Sequence, residues 1–313
     1  MFGKKKKQQT ADAPLPPVTR GRHGGGIRGE EGPPAIADVQ NVIMVASGKG
    51  GVGKSTVATN LACALSRLGA KVGLMDADIY GPSIPTMLDA QEQVFSKDGK
   101  TIQPIPKYGM KLMSMGFFLP PSKAMIWRGP MVHGAITQFL KDVEWGELDY
   151  LVVDMPPGTG DAQLTMAQAL KVTGAVIVST PQAVALADVI RAKSMFDSVK
   201  IPILGLVENM AYFVCDGCDK KHFLFDHGGA RAAAGEMEIP FLGELPLLTA
   251  VRECGDKGMP IVEAMPESAV AGAFLDLARD LAERIVVLNA AGEAEAEKTG
   301  PSKAARRSLP VVS

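Results

Sequence analysis

From Asn41 onward, short β-branched runs alternate with longer segments whose apolar residues recur three or four positions apart. The runs Val42 to Ser47, Val72 to Asp76, Tyr150 to Asp154, Ala175 to Ser179, Ile203 to Glu208 and Phe241 to Leu245 read as strands. Helical spacing over Lys54 to Leu68, Met131 to Val143, Ala183 to Val199 and Glu267 to Leu288 fills the gaps between them. This alternation predicts an α/β fold, a mostly parallel twisted sheet flanked by helices. Between Gln91 and Leu119 the pair Asp98-Gly99, set between short extended runs, predicts a hairpin. No internal repeat is present.

Both ends depart from the pattern. Residues 1–38 open on Lys4 to Lys7 and run through Pro14, Pro16, Pro17 and Gly24-Gly25-Gly26 with almost no apolar residues, a composition that predicts a disordered basic tail. No apolar run follows the lysines, so a secretory signal is not expected, and Asp12, Glu30 and Glu31 argue against an organelle transit peptide. After Gly292 the chain turns to Ala, Glu, Lys and Ser, and residues 291–313 read as a second flexible tail. The folded unit is expected over residues 39–290.

Composition narrows the class. A 313-residue chain with 46% hydrophobic and 21% charged residues suits a soluble, well-buried core. Net charge is −1, but residues 1–38 hold seven Lys or Arg against four Asp or Glu, which leaves −4 on the remainder. The body therefore lacks the basic footprint of a nucleic-acid binder. No apolar stretch approaches the roughly 20 residues of a membrane span. A reducing cytosol is the expected compartment. In that reducing setting Cys63, Cys215, Cys218 and Cys254 are expected as thiols or metal ligands rather than disulfides.

The chemistry starts at Gly48-Lys49-Gly50-Gly51-Val52-Gly53-Lys54-Ser55, which satisfies G-x-x-x-x-G-K-S/T between a strand and a helix, with Thr56 next in line. Glycines let backbone N–H groups curl around a phosphate, Lys54 meets the β/γ oxygens, and the Ser55 hydroxyl can ligate Mg²⁺, so the segment predicts Mg²⁺-ATP binding and hydrolysis. The same letters contain G-x-G-x-x-G at Gly48, Gly50 and Gly53 with Asp76 ending the next strand, as in a dinucleotide-binding unit. That rival gives no role to Lys54-Ser55 or to Asp154. Leu151 to Asp154 reads as a strand that delivers a carboxylate to the ligand-binding edge of the sheet, where Asp154 would hold Mg²⁺. Pro156 to Asp161 follows at once and reads as a loop that senses the γ-phosphate.

A second lysine in the loop, Lys49, is not needed to cradle phosphate. With it, Gly48 to Ser55 resembles the deviant Walker A loop of the ATPases that include the nitrogenase iron protein, the septum- and chromosome-positioning ATPases and the tail-anchored-protein targeting ATPase. The resemblance implies a nucleotide-sandwiched homodimer in which Lys49 reaches the partner's phosphates, as an arginine finger does. It also places switch I at Asp76 to Ser83, with Asp78 as the residue that positions the attacking water and Asp76 behind it.

A narrower resemblance, to the Mrp/ApbC (Nbp-like) iron–sulfur cluster carriers, rests on Asp76 to Ser83, Met113 to Phe117, Trp127 to Pro130, Leu148 to Asp161, Ser179 to Gln182 and Val207 to Met210. It covers residues 41 to 288 and, because such carriers are both bacterial and mitochondrial, implies a bacterial-type cytosol with the mitochondrial matrix as the alternative. It implies that Asn209 recognises adenine and that Cys215 and Cys218 are the carrier's C-x-x-C. Two thiolates per chain are half the ligands of a [4Fe-4S] cluster, so two chains would bridge one cluster and pass it to apoprotein acceptors. The sequence departs from the family form at Asp216 and Asp219, whose carboxylates oppose thiolates and an anionic cluster. Cys215, Cys218, His222 and His227 form a competing pattern, C-x2-C-x3-H-x4-H, which could close on one Zn²⁺ in one chain. Two other functions share the loop: a zinc-bridged client-targeting ATPase, for which the sixteen methionines would line a groove, and a positioning ATPase. The latter needs a membrane helix or a basic DNA surface, and the end Ser308 to Ser313, broken by Pro310, supplies neither.

Overall fold

In the computed structural model, Val42, Met44 and Ala46 of β1 (Val39–Ala46) pack with Val189 and Phe196 on one side of a central sheet, while Ile43 and Val45 pack with Leu61, Leu65, Phe274 and Leu281 on the other. Both faces of the strand are therefore buried, which is why it reads as a continuous apolar run rather than an alternating one. The structure describes residues 14–19, 38–79, 81–90, 94, 96, 101–118, 142–215, 217–218 and 220–299.

The elements follow as α1 (Lys54–Arg67), β2 (Val72–Asp76), α2 (Ile84–Met87), β3 (Ile105–Lys107), β4 (Met110–Ser114), β5 (Leu148–Asp154), α3 (Asp161–Ala169), β6 (Gly174–Ser179), α4 (Ala183–Ser198), β7 (Ile203–Glu208), β8 (Phe213–Val214), β9 (Lys221–His222), α5 (Gly229–Glu236), β10 (Phe241–Glu244), α6 (Thr249–Asp256), α7 (Ile261–Ala264) and α8 (Ala269–Thr299). The eight-stranded sheet has the order β10-β7-β6-β1-β5-β2-β4-β3. All neighbours are parallel except the edge pair β3/β4. All six expected strands are present.

β1 lies between β5 and β6, so the chain leaves it in two directions and the carboxyl ends around it form the crevice where such sheets bind ligands. Register brings the relevant ends level: Val45 lies opposite Asp154, and Asp154 opposite Asp76.

Two expectations change. Residues 14–19, inside the segment read as a disordered tail, dock on the domain: Leu15 and Val18 pack against the α1/α8 face, and the Thr19 carbonyl accepts from Asn41 Nδ2 at 3.1 Å and Asn289 Nδ2 at 2.8 Å. The last helix continues through the segment read as a flexible C-terminal tail, to Thr299, because its Ala and Glu residues are strong helix formers. The hairpin expected around Asp98-Gly99 agrees with the antiparallel pairing of Ser96 with Ile102, although Asp98-Gly99 itself lies outside the described residues, and a second hairpin turns at Tyr108-Gly109, both at positive φ (46° and 72°). Met131 to Lys141 of the expected helix, and Trp127 to Pro130, also lie outside them.

Candidate functional site

The loop after β1 is shaped by contacts that a side chain would block. Gly51 and Gly53 take φ of 82° and 80°, the left-handed region that only glycine enters freely. A Cβ on Gly48 would lie 2.3 Å from Asp188 Cβ on α4, and one on Gly53 would lie 2.2 Å from Asn209 Nδ2. Asn209 Nδ2 donates to the Val52 carbonyl at 2.9 Å, and Ser47 Oγ donates to the Lys49 carbonyl at 2.9 Å. The loop carrying Gly48, Lys49, Gly50, Gly51 and Val52 is thus clamped from α4 on one side and from the end of β7 on the other. Gly53 opens α1, whose first-turn N–H groups and positive dipole end favour an anion there.

At the base of this loop Lys54 Nζ lies 2.6 Å from Asp154 Oδ1, and Ser55 Oγ donates to Asp154 Oδ2 at 2.6 Å. Lys54 and Asp154 are buried, at 6% and 0% exposure. Burial pushes the Asp154 carboxyl up, opposed by the Lys54 ammonium and the Ser55 hydroxyl. A hydroxyl and a carboxylate in contact are the oxygen donors that a hard cation such as Mg²⁺ takes, so the residues present fit that ion. The loop after β5 closes on the same place: Gly158 N–H donates to the Ser47 carbonyl at 3.1 Å. Lys49 is half-buried, and among the described residues no carboxylate pairs with it.

The two carboxylates after β2 differ in their surroundings. Asp76 is fully buried; its Oδ1 accepts from the Asp78 N–H at 3.1 Å, and its Oδ2 accepts from the Ile84 N–H at 3.2 Å and Ser114 Oγ at 3.0 Å. Asp76 therefore organises the turn, while Asp78, also buried, accepts from the Gly81 N–H at 3.2 Å on its Oδ1. Burial first, and then the Asp154 charge, push the Asp76 carboxyl up to about 7 against those hydrogen bonds. The folded chain thus holds a proton that the unfolded chain releases near pH 4, and stability should fall as pH rises from about 4 to about 7. Asp76→Asn, which has no such proton, is expected to flatten the slope of stability against pH in that window, read from thermal melts. Parallel curves for the two proteins would refute the assignment.

Beside the loop lies a cavity of about 360 Å³ lined by Gly53, Thr56, Asn209, Leu245 to Leu248 and Phe274, with Arg252 and Asp256 also on its wall. Its lining is mostly apolar with a few polar groups, which suits a flat heterocycle held next to a phosphate loop.

Further along, Cys215 is half-buried and Cys218 exposed, both in the turn between β8 and β9. His222 lies with them: one ligand atom from each of the three falls within 4.8 Å of the others. His227 is outside that group, its ring 4.0 Å from the Phe223 ring. The four-ligand pattern therefore loses His227. Asp216 and Asp219 lie outside the described residues. Cys63 is buried in α1, and Cys254 is half-buried on α6, packed against the same core cluster as Cys63.

Sequence reasoning did not single out Asp188, which abuts Gly48, or the cavity wall Leu245 to Leu248. It quoted Ser114 within Met113 to Phe117 without the role that the structure gives it, fixing Asp76. Ser114 was detectable as a lone hydroxyl at the end of an apolar strand; nothing local marks Asp188.

Comparisons with known proteins agree with this geometry. A family model of the ParA group, described as NUBPL iron-transfer P-loop NTPase, matches residues 38–282. An iron-sulfur cluster carrier protein from Synechocystis is 51% identical over 256 residues, which cover 80% of this chain and 72% of the relative. An Arabidopsis thaliana protein, the mitochondrial iron-sulfur protein required for NADH dehydrogenase, is 52% identical over 245 residues, 78% of each chain. Among solved structures, the Archaeoglobus fulgidus nucleotide-binding protein in complex with ADP aligns with a TM-score of 0.63 at 42% identity, covering 71% of this chain and 87% of that one.

Proposed function

The chain belongs to the NUBPL-type (Mrp/ApbC) iron–sulfur cluster carriers of the P-loop NTPases, and from that premise we propose that it hydrolyses Mg²⁺-ATP and carries a [4Fe-4S] cluster on Cys215 and Cys218 between two copies of itself. The observation that carries the reading is the contact of Lys54 and Ser55 with the buried Asp154, on the same sheet edge from which the Cys215/Cys218 hairpin springs.

Each side chain has a task in this reading. Backbone N–H groups of Gly50 to Lys54 bind the phosphates, and Lys54 exchanges its contact with Asp154 for the β/γ oxygens. Ser55 and Asp154 hold Mg²⁺, which supplies charge neutralisation at the phosphates. Thr56 and Asn209 face the nucleoside side, the base lying in the cavity walled by Leu245 to Leu248. Asp78, held in a turn that Asp76 organises, orients the attacking water. Lys49 extends toward the phosphates of a second copy. The segment after Asn209 pairs with the cavity wall, Ala211 N–H to the Leu245 carbonyl at 3.0 Å and Leu247 N–H to the Tyr212 carbonyl at 2.8 Å, before it reaches Cys215. The wall of the cavity and the segment that carries the thiols are therefore hydrogen-bonded to each other.

Lys49→Ala and Asp78→Ala are expected to lower turnover while ATP affinity stays within about an order of magnitude, since both act on the attacking step. Equilibrium nucleotide binding alongside phosphate release checks this; loss of binding in a folded variant would assign them to the binding site instead.

Apolar Phe223, Leu224 and Phe225 stand exposed next to the thiols, a surface that suits a protein partner, either the second copy or an apoprotein acceptor. Among the described residues no helix is long and apolar enough to cross a membrane, and the proposed compartment is the cytosol. Anaerobic reconstitution with iron and sulfide tests the reading: about four irons and four sulfides per two chains are expected from the ligand count of a four-iron centre. Stoichiometric zinc that iron and sulfide do not replace would favour a targeting ATPase.

A further inference from the structure

The thiols of Cys215 and Cys218 are not alone on their turn. β8 and β9 pair antiparallel, with Phe213 opposite His222 and Val214 opposite Lys221. The Cys215 N–H donates to the Lys220 carbonyl at 3.0 Å, and the Cys218 N–H to the Cys215 carbonyl at 3.3 Å, so the turn between the strands is closed by its own backbone. This hairpin returns the chain to its start and brings His222 back to the cysteines. Two sulfurs and a ring nitrogen of one chain then lie within 4.8 Å of one another. Around a tetrahedral ion with bonds of about 2.3 Å to sulfur and 2.0–2.1 Å to nitrogen, ligand atoms stand roughly 3.5–3.8 Å apart. The 4.8 Å bound is only about 1 Å beyond those tetrahedral separations. Cys218 and His222 are exposed, which leaves the fourth position of such an ion open to solvent.

We propose that Cys215, Cys218 and His222 of a single chain bind one borderline-soft divalent cation, zinc or ferrous iron, in a mononuclear state that competes with the bridging cluster for the same two thiolates. The inference rests on the reading of Cys215 and Cys218 as metal-binding thiols. Two thiolates and an imidazole select this class of ion over Mg²⁺ or Ca²⁺, which prefer oxygen. Binding releases the thiol protons to solvent, so the step involves no oxidation. While the ion is held, neither sulfur is available to a cluster shared with a second copy. His222 thus gives each chain a resting occupant that must leave before the cluster is loaded.

The test uses the full chain, reduced and metal-free, titrated anaerobically with Co²⁺ in the absence of sulfide, then with Zn²⁺ in competition with a chromophoric chelator. Wild type should take one Co²⁺ per chain with tetrahedral ligand-field bands and thiolate charge-transfer absorption, and Zn²⁺ should displace it. His222→Ala should weaken both ions at least about tenfold, the loss that even an outer-shell partner of a ligand commonly causes. His227→Ala should match wild type. Unchanged affinity and spectrum in His222→Ala, or one Co²⁺ per two chains, would overturn the proposal. Nucleotide binding by His222→Ala reports that the variant is folded. Reconstitution with iron and sulfide separates the two readings: a wild type that binds Co²⁺ as described but accepts no cluster contradicts the carrier reading, and with it the competition, and leaves the mononuclear site standing. Conversely, a His222→Ala protein that binds Co²⁺ as wild type does and also takes up a cluster contradicts only this one.

Discussion

Lys54→Ala is expected to bring ATP turnover to background, a loss of at least about 10²–10³-fold by comparison with deleting one preorganised donor at a site of developing charge. The expectation follows from position. Lys54 opens α1 directly after Gly53, its ammonium is nearly fully buried, and it reaches the carboxylate proposed to hold the metal. The same contact adds a second consequence. Removing the ammonium leaves Asp154 buried without its counter-ion, and breaking a buried pair in this way costs about 3–5 kcal/mol, less whatever Asp154 recovers by taking up a proton. Lys54→Ala should therefore also melt at lower temperature without nucleotide. Adding Asp154→Asn to that variant should restore stability but not turnover. Phosphate release and thermal melts on the two single variants and the double variant separate the effects. Hydrolysis at the wild-type rate in Lys54→Ala would refute the site.

Cys215→Ala and Cys218→Ala should each abolish stable cluster binding while leaving ATP affinity unchanged. Two thiolates from each of two chains complete a four-iron centre, so each substitution removes two of four ligands from a symmetric dimer. Cys63 cannot substitute, because it is buried in α1, and burial raises its thiol further from ionisation. The nucleotide loop is a separate structure, built on β1 and α1, so its binding should survive. Iron and sulfide analysis after reconstitution, with nucleotide binding measured on the same samples, checks both halves. A cluster that persists in the doubly substituted protein would refute the ligand assignment.

Much of this was legible in the sequence, for physical reasons that differ by region. Strands such as Val42 to Ala46 and Leu151 to Val153 are buried on both faces and cannot avoid being apolar runs. The loop from Gly48 to Ser55 is legible because its chemistry is local: left-handed glycines, a lysine and a hydroxyl must follow one another. Contacts between distant segments were not legible. Asp188 meets Gly48 and Ser114 meets Asp76 only because the sheet order sets their elements side by side. The β8/β9 hairpin escaped because its strands are two residues long, too short to show a period, and it is this pairing that carries His222 to the thiols. The Pro-rich composition around residues 14–19 concealed Leu15 and Val18, two apolar side chains that pack against the core beside the hydrogen bonds to Thr19.

The central claim is that this chain hands a cluster to another protein. Its most direct measurement mixes the reconstituted protein with an apoenzyme that needs a four-iron cluster, in the presence of an iron chelator, and follows the recovery of that enzyme's activity. The account predicts recovery in step with loss of cluster from the carrier, and none when the protein put through reconstitution carries Cys215→Ala and Cys218→Ala. No recovery with wild type, or recovery as fast with the doubly substituted protein, would contradict it.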